Sequence, residues 1–247
     1  MTLGLIGKSI SHSFSKPYFE EKFLKEQRTD CSYLNFDLEN LDGLMNIISE
    51  HQLSGLNVTK PYKEAVIPFL HELDETAKAI HAVNCIKITY TNGIPYLKGY
   101  NTDYYGFAQS IKPFLEPIHQ KALILGTGGA SKAVHYALKQ VGLDVYYVTR
   151  GEKKTEHYFN YTELNEYVLK AFKLIVNCTP LGMYPNNAAK PEIPYHYLTP
   201  EHLLYDVIYN PPLTEFLSEG KAHGATVING LNMLKLQAEK AWEIWQK

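Results

Sequence analysis

The chain has few cysteines, a net charge close to zero and no long apolar segment. Its 247 residues include only three cysteines, Cys31, Cys85 and Cys178. Their number and spacing form no zinc pattern and favour buried, reduced thiols. The formal net charge of −2 disfavours a nucleic-acid binder, which usually carries a basic stripe. No apolar run approaches the ~18 residues of a membrane span, and a strand-like run starts at Met1. We therefore expect no membrane partner, no signal peptide and a cytoplasmic location.

The composition is that of a folded protein. Hydrophobic residues make up 45% of the chain and charged residues 20%, which is typical of soluble globular proteins and argues against disorder. The length suits one large domain or two small ones. We expect no bound metal, and the oligomeric state is open between a monomer and a homodimer.

The second half alternates short apolar runs with helical or loop stretches. The runs at residues 122–125, 145–148, 173–176, 203–208 and 225–228 read as strands. Strands separated in this way predict a parallel sheet with right-handed crossovers. The second half is therefore predicted to be a Rossmann-type, doubly wound domain.

The first half alternates as well. Strands are predicted at residues 3–6, 33–38 and 55–59, helices at 15–27 and 41–51, and a hairpin at Asn92-Gly93. A helix over residues 231–246 has no strand after it, so we expect it to pack back onto the first half. The predicted architecture is a two-domain α/β protein, with residues 1–103 and 231–247 in one domain and 104–230 in the other. The active site is expected in the cleft between them.

A glycine-rich turn connects the first strand of the second domain to its first helix. Residues 126–131 read Gly-Thr-Gly-Gly-Ala-Ser and precede apolar residues at helical spacing. Such glycines allow a tight turn and let the backbone approach a pyrophosphate, which the N–H groups of the helix N-terminus bind. We assign Gly126, Gly128, Gly129 and Ala130 to dinucleotide binding.

The end of the next strand bears on the choice between NAD and NADP. Thr149 and Arg150 stand where a dinucleotide site meets the adenosine ribose, and a guanidinium there can bind the 2′-phosphate of NADP. Lys153 and Lys154 add positive charge, whereas Glu152 could bond the ribose hydroxyls of NAD. We expect NADP as the cofactor, with NAD left open.

Six short motifs follow one another along the chain. Besides the glycine turn they are Ser-Phe-Ser at 13–15, Asn-Val-Thr-Lys-Pro-Tyr-Lys at 57–63, Ala-Val-Asn-Cys at 82–85, Asn-Thr-Asp at 101–103 and Gly-Leu-Asn-Met-Leu-Lys-Leu-Gln at 230–237. In this order, and over nearly the whole chain, they closely resemble the motifs of the shikimate dehydrogenase family. The resemblance implies an oxidoreductase that reduces 3-dehydroshikimate to shikimate with NADPH, reversibly, in the pathway to chorismate and the aromatic amino acids.

The resemblance also implies a catalytic pair. Hydride transfer to the C3 carbonyl builds negative charge on its oxygen, so a proton donor must lie within ~2.6–3.2 Å of it. The family's donor matches Lys63 rather than Lys60, which occupies a variable position. The carboxylate that holds the ammonium group matches Asp103. Judged without the resemblance, Lys63 could be a surface lysine and Asp103 a helix N-cap.

Further contacts follow from the same resemblance. The substrate ring carries one carboxylate and several hydroxyls. Ser13 and Ser15 match the residues that bind the carboxylate, and Thr59, Asn84 and Gln237 match those that bind the ring substituents.

Two more residues match the family near the reacting centre, and Lys16 and Cys85 are among the positions that depart from it. Tyr209 matches a tyrosine near the substrate and the nicotinamide, and Gly230 matches a residue close to the nicotinamide. Lys16 separates Ser15 from the following proline, and Cys85 stands where the family has threonine.

Two alternative functions stay open. The first is an NAD-using quinate/shikimate dehydrogenase, which Glu152 favours. The second is a non-catalytic NADP- or metabolite-binding module. Lys63 and Asp103 argue against the second, because binding alone needs no proton donor.

Overall fold

The computed structural model describes residues 1–11, 13–152 and 155–247, and these divide into two compact units. The first unit comprises Met1–Thr102 and Ala238–Lys247, and the second comprises Asp103–Gln237. His12, Lys153 and Lys154 lie outside the described residues. The prediction that these two lysines add charge at the cofactor site therefore falls outside them as well.

The boundary between the units falls inside the last helix rather than at its start. The sequence predicted a boundary at residue 231, but residues 231–237 belong to the second unit, as does Asp103. The cause is packing. Met233 is part of the buried cluster around Phe107, and a Cβ on Gly106 would lie 2.4 Å from the Met233 carbonyl oxygen. The start of the last helix is therefore packed against the helix that carries Gly106.

A six-stranded mixed sheet forms the centre of the first unit. Its strands are β1 (Thr2–Gly7), β2 (Ser32–Asp37), β3 (Leu53–Val58), β4 (Glu72–Leu73), β5 (Cys85–Thr91) and β6 (Ile94–Tyr100), in the order β2-β1-β3-β5-β6-β4. Strand β1 is parallel to β2 and β3, β5 is antiparallel to β3 and β6, and β4 is parallel to β6. The β5–β6 hairpin turns at Asn92-Gly93, so the predicted hairpin is confirmed.

Helices cover the faces of this sheet. In the described part of the first unit they are α1 (Ser15–Lys25), α2 (Leu44–Glu50), α3 (Tyr62–Ala65) and α4 (Glu75–Ile80). The end of the last helix, α9 (Leu231–Gln246), packs on the same sheet, as predicted. Trp245 is buried in a cluster with Phe19 and Tyr33, and its indole N–H donates to the Ile86 carbonyl at 2.9 Å. A Cβ on Gly55 would lie 2.3 Å from that indole nitrogen, so a larger residue there would displace the helix.

The sheet of the second unit is parallel throughout. Its strands are β7 (Lys121–Leu125), β8 (Asp144–Thr149), β9 (Tyr158–Asn160), β10 (Leu174–Asn177), β11 (Leu203–Asp206) and β12 (Thr226–Ile228), in the order β12-β11-β10-β7-β8-β9. The predicted doubly wound sheet is confirmed. The strand order reverses between β7 and β10, and ligands of such sheets bind outside the carboxyl ends at that point.

Helices lie on both faces of the second sheet. They are α5 (Asp103–Ile111), α6 (Gly129–Gln140), α7 (Glu166–Ala171) and α8 (Glu215–Ala222), with the start of α9. Successive residues of β7 alternate between two buried clusters, with Ile124 in one and Leu125 in the other. Strand β9 and helix α7 were not predicted, because they are too short to show a hydrophobic periodicity. Among the helices of the described residues, none combines the length and the hydrophobicity that a membrane span needs.

Candidate active site

Polar residues lie together at one edge of the first sheet, where several of its strands end. Strands β1 and β3 end there, and the antiparallel hairpin starts and ends there. Thr59 follows β3, Asn84 precedes β5 and Thr102 follows β6. Because neighbouring strands lie about 4.8 Å apart, the topology brings these residues together although up to 43 positions separate them in the sequence.

Asn84 and Thr102 form a buried pair at this edge. Their exposed fractions are 3% and 1%. The Asn84 amide Nδ2 donates to Thr102 Oγ1 at 3.0 Å, and its Oδ1 accepts the backbone N–H of Thr102 at 2.6 Å. The neighbouring Asn101 donates to the Ala82 carbonyl at 3.0 Å. These bonds fix the orientation of the Asn84 amide, which the resemblance assigns to the substrate.

Ser13 and Ser15 lie where α1 begins. Helix α1 starts at Ser15, whose backbone N–H donates to Ser13 Oγ at 3.2 Å. The Ser13 hydroxyl thus satisfies one N–H group of the first turn, and both side chains are half-buried. Lys16, one of the residues that depart from the family pattern, has its Nζ 3.8 Å from Glu20 Oε1 along the same helix.

Lys63 is carried by the short helix α3, just beyond Thr59. The Thr59 carbonyl accepts the N–H of Tyr62 at 2.9 Å, and the Lys63 carbonyl accepts the N–H of Val83 at 2.7 Å. These bonds tie the backbone of Lys63 to the edge where the polar residues gather. The Lys63 side chain is half-buried, whereas Lys60 is exposed.

The glycine turn of the second unit lies at the carboxyl end of β7, beside the point where the strand order reverses. Gly126 has φ +94°, a conformation that favours glycine. Gly128 is the N-cap of α6, and Gly129 and Ala130 are its first residues. A Cβ on Gly128 or Gly129 would meet nothing within 4 Å. The backbone there is open to a ligand, and α6 presents its N-terminal N–H groups, so the turn fits a pyrophosphate.

Arg150 lies at the carboxyl end of β8, in an open cavity of about 720 Å³. Thr149 lines the same cavity, and its Oγ1 accepts the N–H of Gly151 at 3.0 Å. Glu152 lines it too, together with Glu192 from the segment between β10 and β11. One guanidinium therefore shares this cavity with two carboxylates.

Tyr161 lines the same cavity and is influenced by both kinds of charge. Burial raises the pKa of Tyr161 to about 12, Arg150 lowers it and Glu192 raises it. Both charged groups therefore act on the same phenol from the same cavity. No sequence signal marks Glu192 as part of this cavity, because it lies 40 positions after Glu152.

Two of the predicted site residues are almost buried in the second unit. Asp103 is the first residue of α5 and is 7% exposed. Gln237 is 8% exposed, and its Nε2 donates to the Leu234 carbonyl at 2.9 Å. Both belong to the second unit, while the other predicted substrate and catalytic residues except Tyr209 belong to the first.

Tyr209 and Gly230 follow the carboxyl ends of β11 and β12. Burial raises the pKa of the Tyr209 phenol. A Cβ on Gly230 would lie 2.1 Å from the Val207 carbonyl oxygen, and the Gly230 N–H donates to the Ile208 carbonyl at 3.0 Å. Only glycine allows these two backbone segments to approach so closely.

Asp206 is a buried carboxyl for which the sequence predicted no role. Its oxygens accept hydrogen bonds from Thr214 Oγ1 at 2.6 Å, from the Ile208 N–H at 3.0 Å and from Asn177 Nδ2 at 3.1 Å. Burial raises the pKa of Asp206 to about 6, although these hydrogen bonds lower it. Strand β11 ends at Asp206, two residues before the predicted end.

The fold and the two sites define a class. One unit has a doubly wound parallel sheet with an open glycine turn where the strand order reverses. The other α/β unit carries a lysine near buried polar groups. This combination is typical of two-domain dinucleotide-binding proteins. Within the described residues, no group of three or more His, Cys, Asp or Glu could hold a metal ion.

Comparison with known proteins identifies the family. The model of the shikimate dehydrogenase substrate binding domain matches residues 5–86. The shikimate dehydrogenase (NADP(+)) of Methanococcus vannielii is 34% identical, over 98% of this chain and 90% of its own. The chain therefore belongs to the shikimate dehydrogenase family.

Solved structures agree in fold over nearly the whole chain. Shikimate 5-dehydrogenase from Thermus thermophilus, in complex with NADP(H) and shikimate, has a TM-score of 0.83 at 31% identity, covering 99% of this chain and 93% of that one. Quinate dehydrogenase from Corynebacterium glutamicum, in complex with NAD, has a TM-score of 0.86 at 27% identity, with the same coverage.

Proposed function

We propose that this protein is an NADP-dependent shikimate dehydrogenase, which reduces 3-dehydroshikimate to shikimate and catalyses the reverse oxidation. The family places this reaction in the pathway to chorismate and the aromatic amino acids. The observation that carries the proposal is the position of Lys63, which lies with Thr59 and Asn84 at one edge of the first sheet. A proton donor among hydrogen-bonding groups is what reduction of a polyhydroxylated ketone requires.

Lys63 is the proposed proton donor. NADPH, when bound, supplies the hydride that reduces the C3 carbonyl. As negative charge develops on the carbonyl oxygen, Lys63 donates its ammonium proton to it, which yields the C3 hydroxyl and a neutral amine. In the oxidation Lys63 accepts that proton. By its motif match, Asp103 is the carboxylate that holds the ammonium group in place.

The cofactor is assigned to the carboxyl edge of the second sheet. Gly126, Gly128, Gly129 and Ala130 would hold the pyrophosphate at the start of α6, because the glycine backbone there is open. By motif match, Gly230 lies close to the nicotinamide.

The adenosine end of the cofactor is assigned to the cavity beside β8. Arg150 would bind the 2′-phosphate, with Thr149 beside it.

The substrate is assigned to neutral hydrogen-bonding groups. Ser13 and Ser15 would bind the carboxylate, and Thr59, Asn84 and Gln237 would bind the ring substituents. Such a site rejects analogues that lack a hydroxyl, because a buried polar group is then left unpaired. Tyr209 is assigned a position near the substrate and the nicotinamide.

A second candidate is an NAD-using quinate/shikimate dehydrogenase. Two observations favour it: Glu152 and Glu192 share the cavity of Arg150, and a structural relative is a quinate dehydrogenase in complex with NAD. Carboxylates accept hydrogen bonds from ribose hydroxyls and repel a 2′-phosphate. A non-catalytic binding module is disfavoured by the presence of both Lys63 and Asp103.

A cytoplasmic location is part of the proposal, and the three cysteines, which are free, support it. The expectations of a monomer or homodimer, and of no nucleic-acid partner, stay predictions.

The test is an assay of the purified chain with shikimate and NADP⁺. The proposal expects NADPH to form, with 3-dehydroshikimate identified as the product by mass spectrometry. Turnover of quinate with NAD⁺ in preference would favour the second candidate. Binding of both ligands without turnover would favour the non-catalytic module.

A further inference from the structure

Tyr33 places a hydroxyl deep inside the first unit. The residue lies on β2 and is 2% exposed. Its O–H donates to Oδ1 of Asn57, on β3, at 2.7 Å. In the sheet Tyr33 pairs with Leu3, while Leu5 pairs with Asn57. The phenol therefore reaches diagonally across β1 to join two strands that are not neighbours.

Packing alone accounts for the ring of Tyr33 but not for its hydroxyl. The ring stacks on Phe19 with centroids 4.8 Å apart and planes 11° apart, in a cluster that includes Phe23 and Trp245. Phenylalanine would fill the same volume without burying a polar group, and burying a hydroxyl costs free energy unless it is hydrogen-bonded. The bond to Asn57 is therefore the distinctive contribution of tyrosine at this position.

That bond determines which way the Asn57 amide points. Because the tyrosine O–H donates, it holds the amide oxygen, and the amide nitrogen must face the other side. The Asn57 Nδ2 donates to the Asn84 carbonyl at 3.3 Å, and Asn57 is only 5% exposed. Asn57 thus presents N–H donors, rather than its oxygen, toward the strand edge where Asn84 and Thr59 lie.

Burial of the Tyr33 phenol raises its pKa well above the usual value. The hydroxyl therefore keeps its proton and donates it to Asn57.

We propose that Tyr33 is a positioning residue of the substrate site: its hydroxyl orients the Asn57 amide, which in turn holds the backbone of Asn84, a proposed substrate ligand. The inference rests on the proposed function, because it assigns Asn84 to the ring substituents of shikimate. Tyr33 itself touches no reacting atom in this proposal. Loss of its hydroxyl should therefore weaken substrate binding and leave the chemical step intact.

The experiment compares Tyr33→Phe with Tyr205→Phe by steady-state kinetics and thermal unfolding. Tyr205 is the matched control, since it is fully buried and its hydroxyl lies 2.7 Å from Ser110 Oγ in the second unit. We expect both variants to lower Tm. Only Tyr33→Phe should raise KM for shikimate, by about tenfold, as expected for one lost hydrogen bond to a buried group. KM for NADP⁺ and kcat should change little in either variant.

Two results would overturn the inference. An unchanged KM for shikimate in Tyr33→Phe, with Tm lowered, would show a purely structural role. A rise in KM of the same size in Tyr205→Phe would show that loss of stability alone produces the effect. Wild-type protein without turnover would count against the proposed function, and the inference would fail with it.

A second variant keeps the inference testable if Tyr33→Phe does not fold. Asn57→Asp retains an oxygen acceptor for the Tyr33 hydroxyl but removes the amide N–H donors. We expect KM for shikimate to rise by at least about tenfold. An unchanged KM would show that the Asn57 amide does not serve the substrate, and that its orientation by Tyr33 has no functional consequence.

Discussion

The strand edge of the first unit and the cofactor cavity of the second satisfy their polar groups in opposite ways. At the strand edge of the first unit, Asn57, Asn84 and Thr102 are at most 5% exposed and bond one another or nearby backbone. In the cavity at the end of β8, Arg150 and Glu152 are exposed. Buried bonds are costly to break, whereas exposed charges interact weakly and are screened by salt. Recognition of the substrate should therefore be strict, and recognition of the cofactor phosphate adjustable.

The sharpest test of the first unit is Lys63→Ala. Because a positioned general acid contributes about 10²- to 10⁴-fold, kcat should fall by that factor with a small change in KM for shikimate. Lys60→Ala is the matched control, since Lys60 is exposed three residues earlier, and it should keep wild-type kcat. A large rise in KM at constant kcat for Lys63→Ala would show that Lys63 only binds.

Asp206 is a buried polar group in the second unit. It tests whether burial, rather than the unit in which a group lies, determines how much that group contributes to stability. Its folded pKa of about 6 lies above the ordinary value of about 3.9. The folded protein therefore keeps a proton that the unfolded chain releases. The stability from this group is fully present below about pH 4 and is lost as pH rises to about 6.

The comparison of Asp206→Asn with wild type isolates this contribution. The difference between the folded pKa of about 6 and the ordinary value corresponds to about 3 kcal/mol. The free energy of unfolding of the variant, relative to wild type, should therefore rise by about that amount between pH 4 and pH 7. The buried His119 and His202, whose pKa values burial lowers, contribute equally to both proteins and cancel. Parallel pH profiles in urea unfolding would contradict the account.

The cofactor cavity should respond less strongly. Arg150→Ala should raise KM for NADPH by about tenfold, since a guanidinium–phosphate hydrogen bond is charge-assisted. KM for NADH should barely change, because NADH has no 2′-phosphate. Equal effects on the two cofactors would mean that Arg150 does not contact that phosphate.

The smallest expected effect concerns the carboxylates of the same cavity. Glu192→Gln or Glu152→Gln should lower KM for NADPH by about two- to fivefold, the size of an exposed charge interaction. The gain should shrink as ionic strength rises. Glu166→Gln, at the start of α7 and outside the cavity lining, should change nothing. A salt-independent gain would point to a change of shape rather than of charge.

The sequence predicted what is local. The parallel sheet and the glycine turn at Gly126 follow from periodicity and from glycine chemistry. The packing of the last helix on the first unit was predicted because no strand follows that helix. All three are confirmed. Lys63 was assigned to the active site from the family motif and not from hydrophobic periodicity. Its place at the strand edge depends on the turn from Thr59 to Tyr62.

What the sequence could not predict depends on register across strands. The bond from Tyr33 to Asn57 joins residues 24 positions apart, and no local pattern marks tyrosine as a hydrogen-bond donor inside a sheet. The bond of Asp206 to Asn177 likewise needs β10 and β11 side by side. Glu192 reaches the Arg150 cavity only because the chain returns to it after β10.

The measurement closest to the central claim is kcat/KM for shikimate and for quinate, each with NADP⁺ and with NAD⁺, on a single preparation of the wild-type chain. The account predicts the highest value for shikimate with NADP⁺. It also predicts a larger discrimination between the two substrates than between the two cofactors. Turnover that favours quinate, or a cofactor preference stronger than the substrate preference, would contradict it.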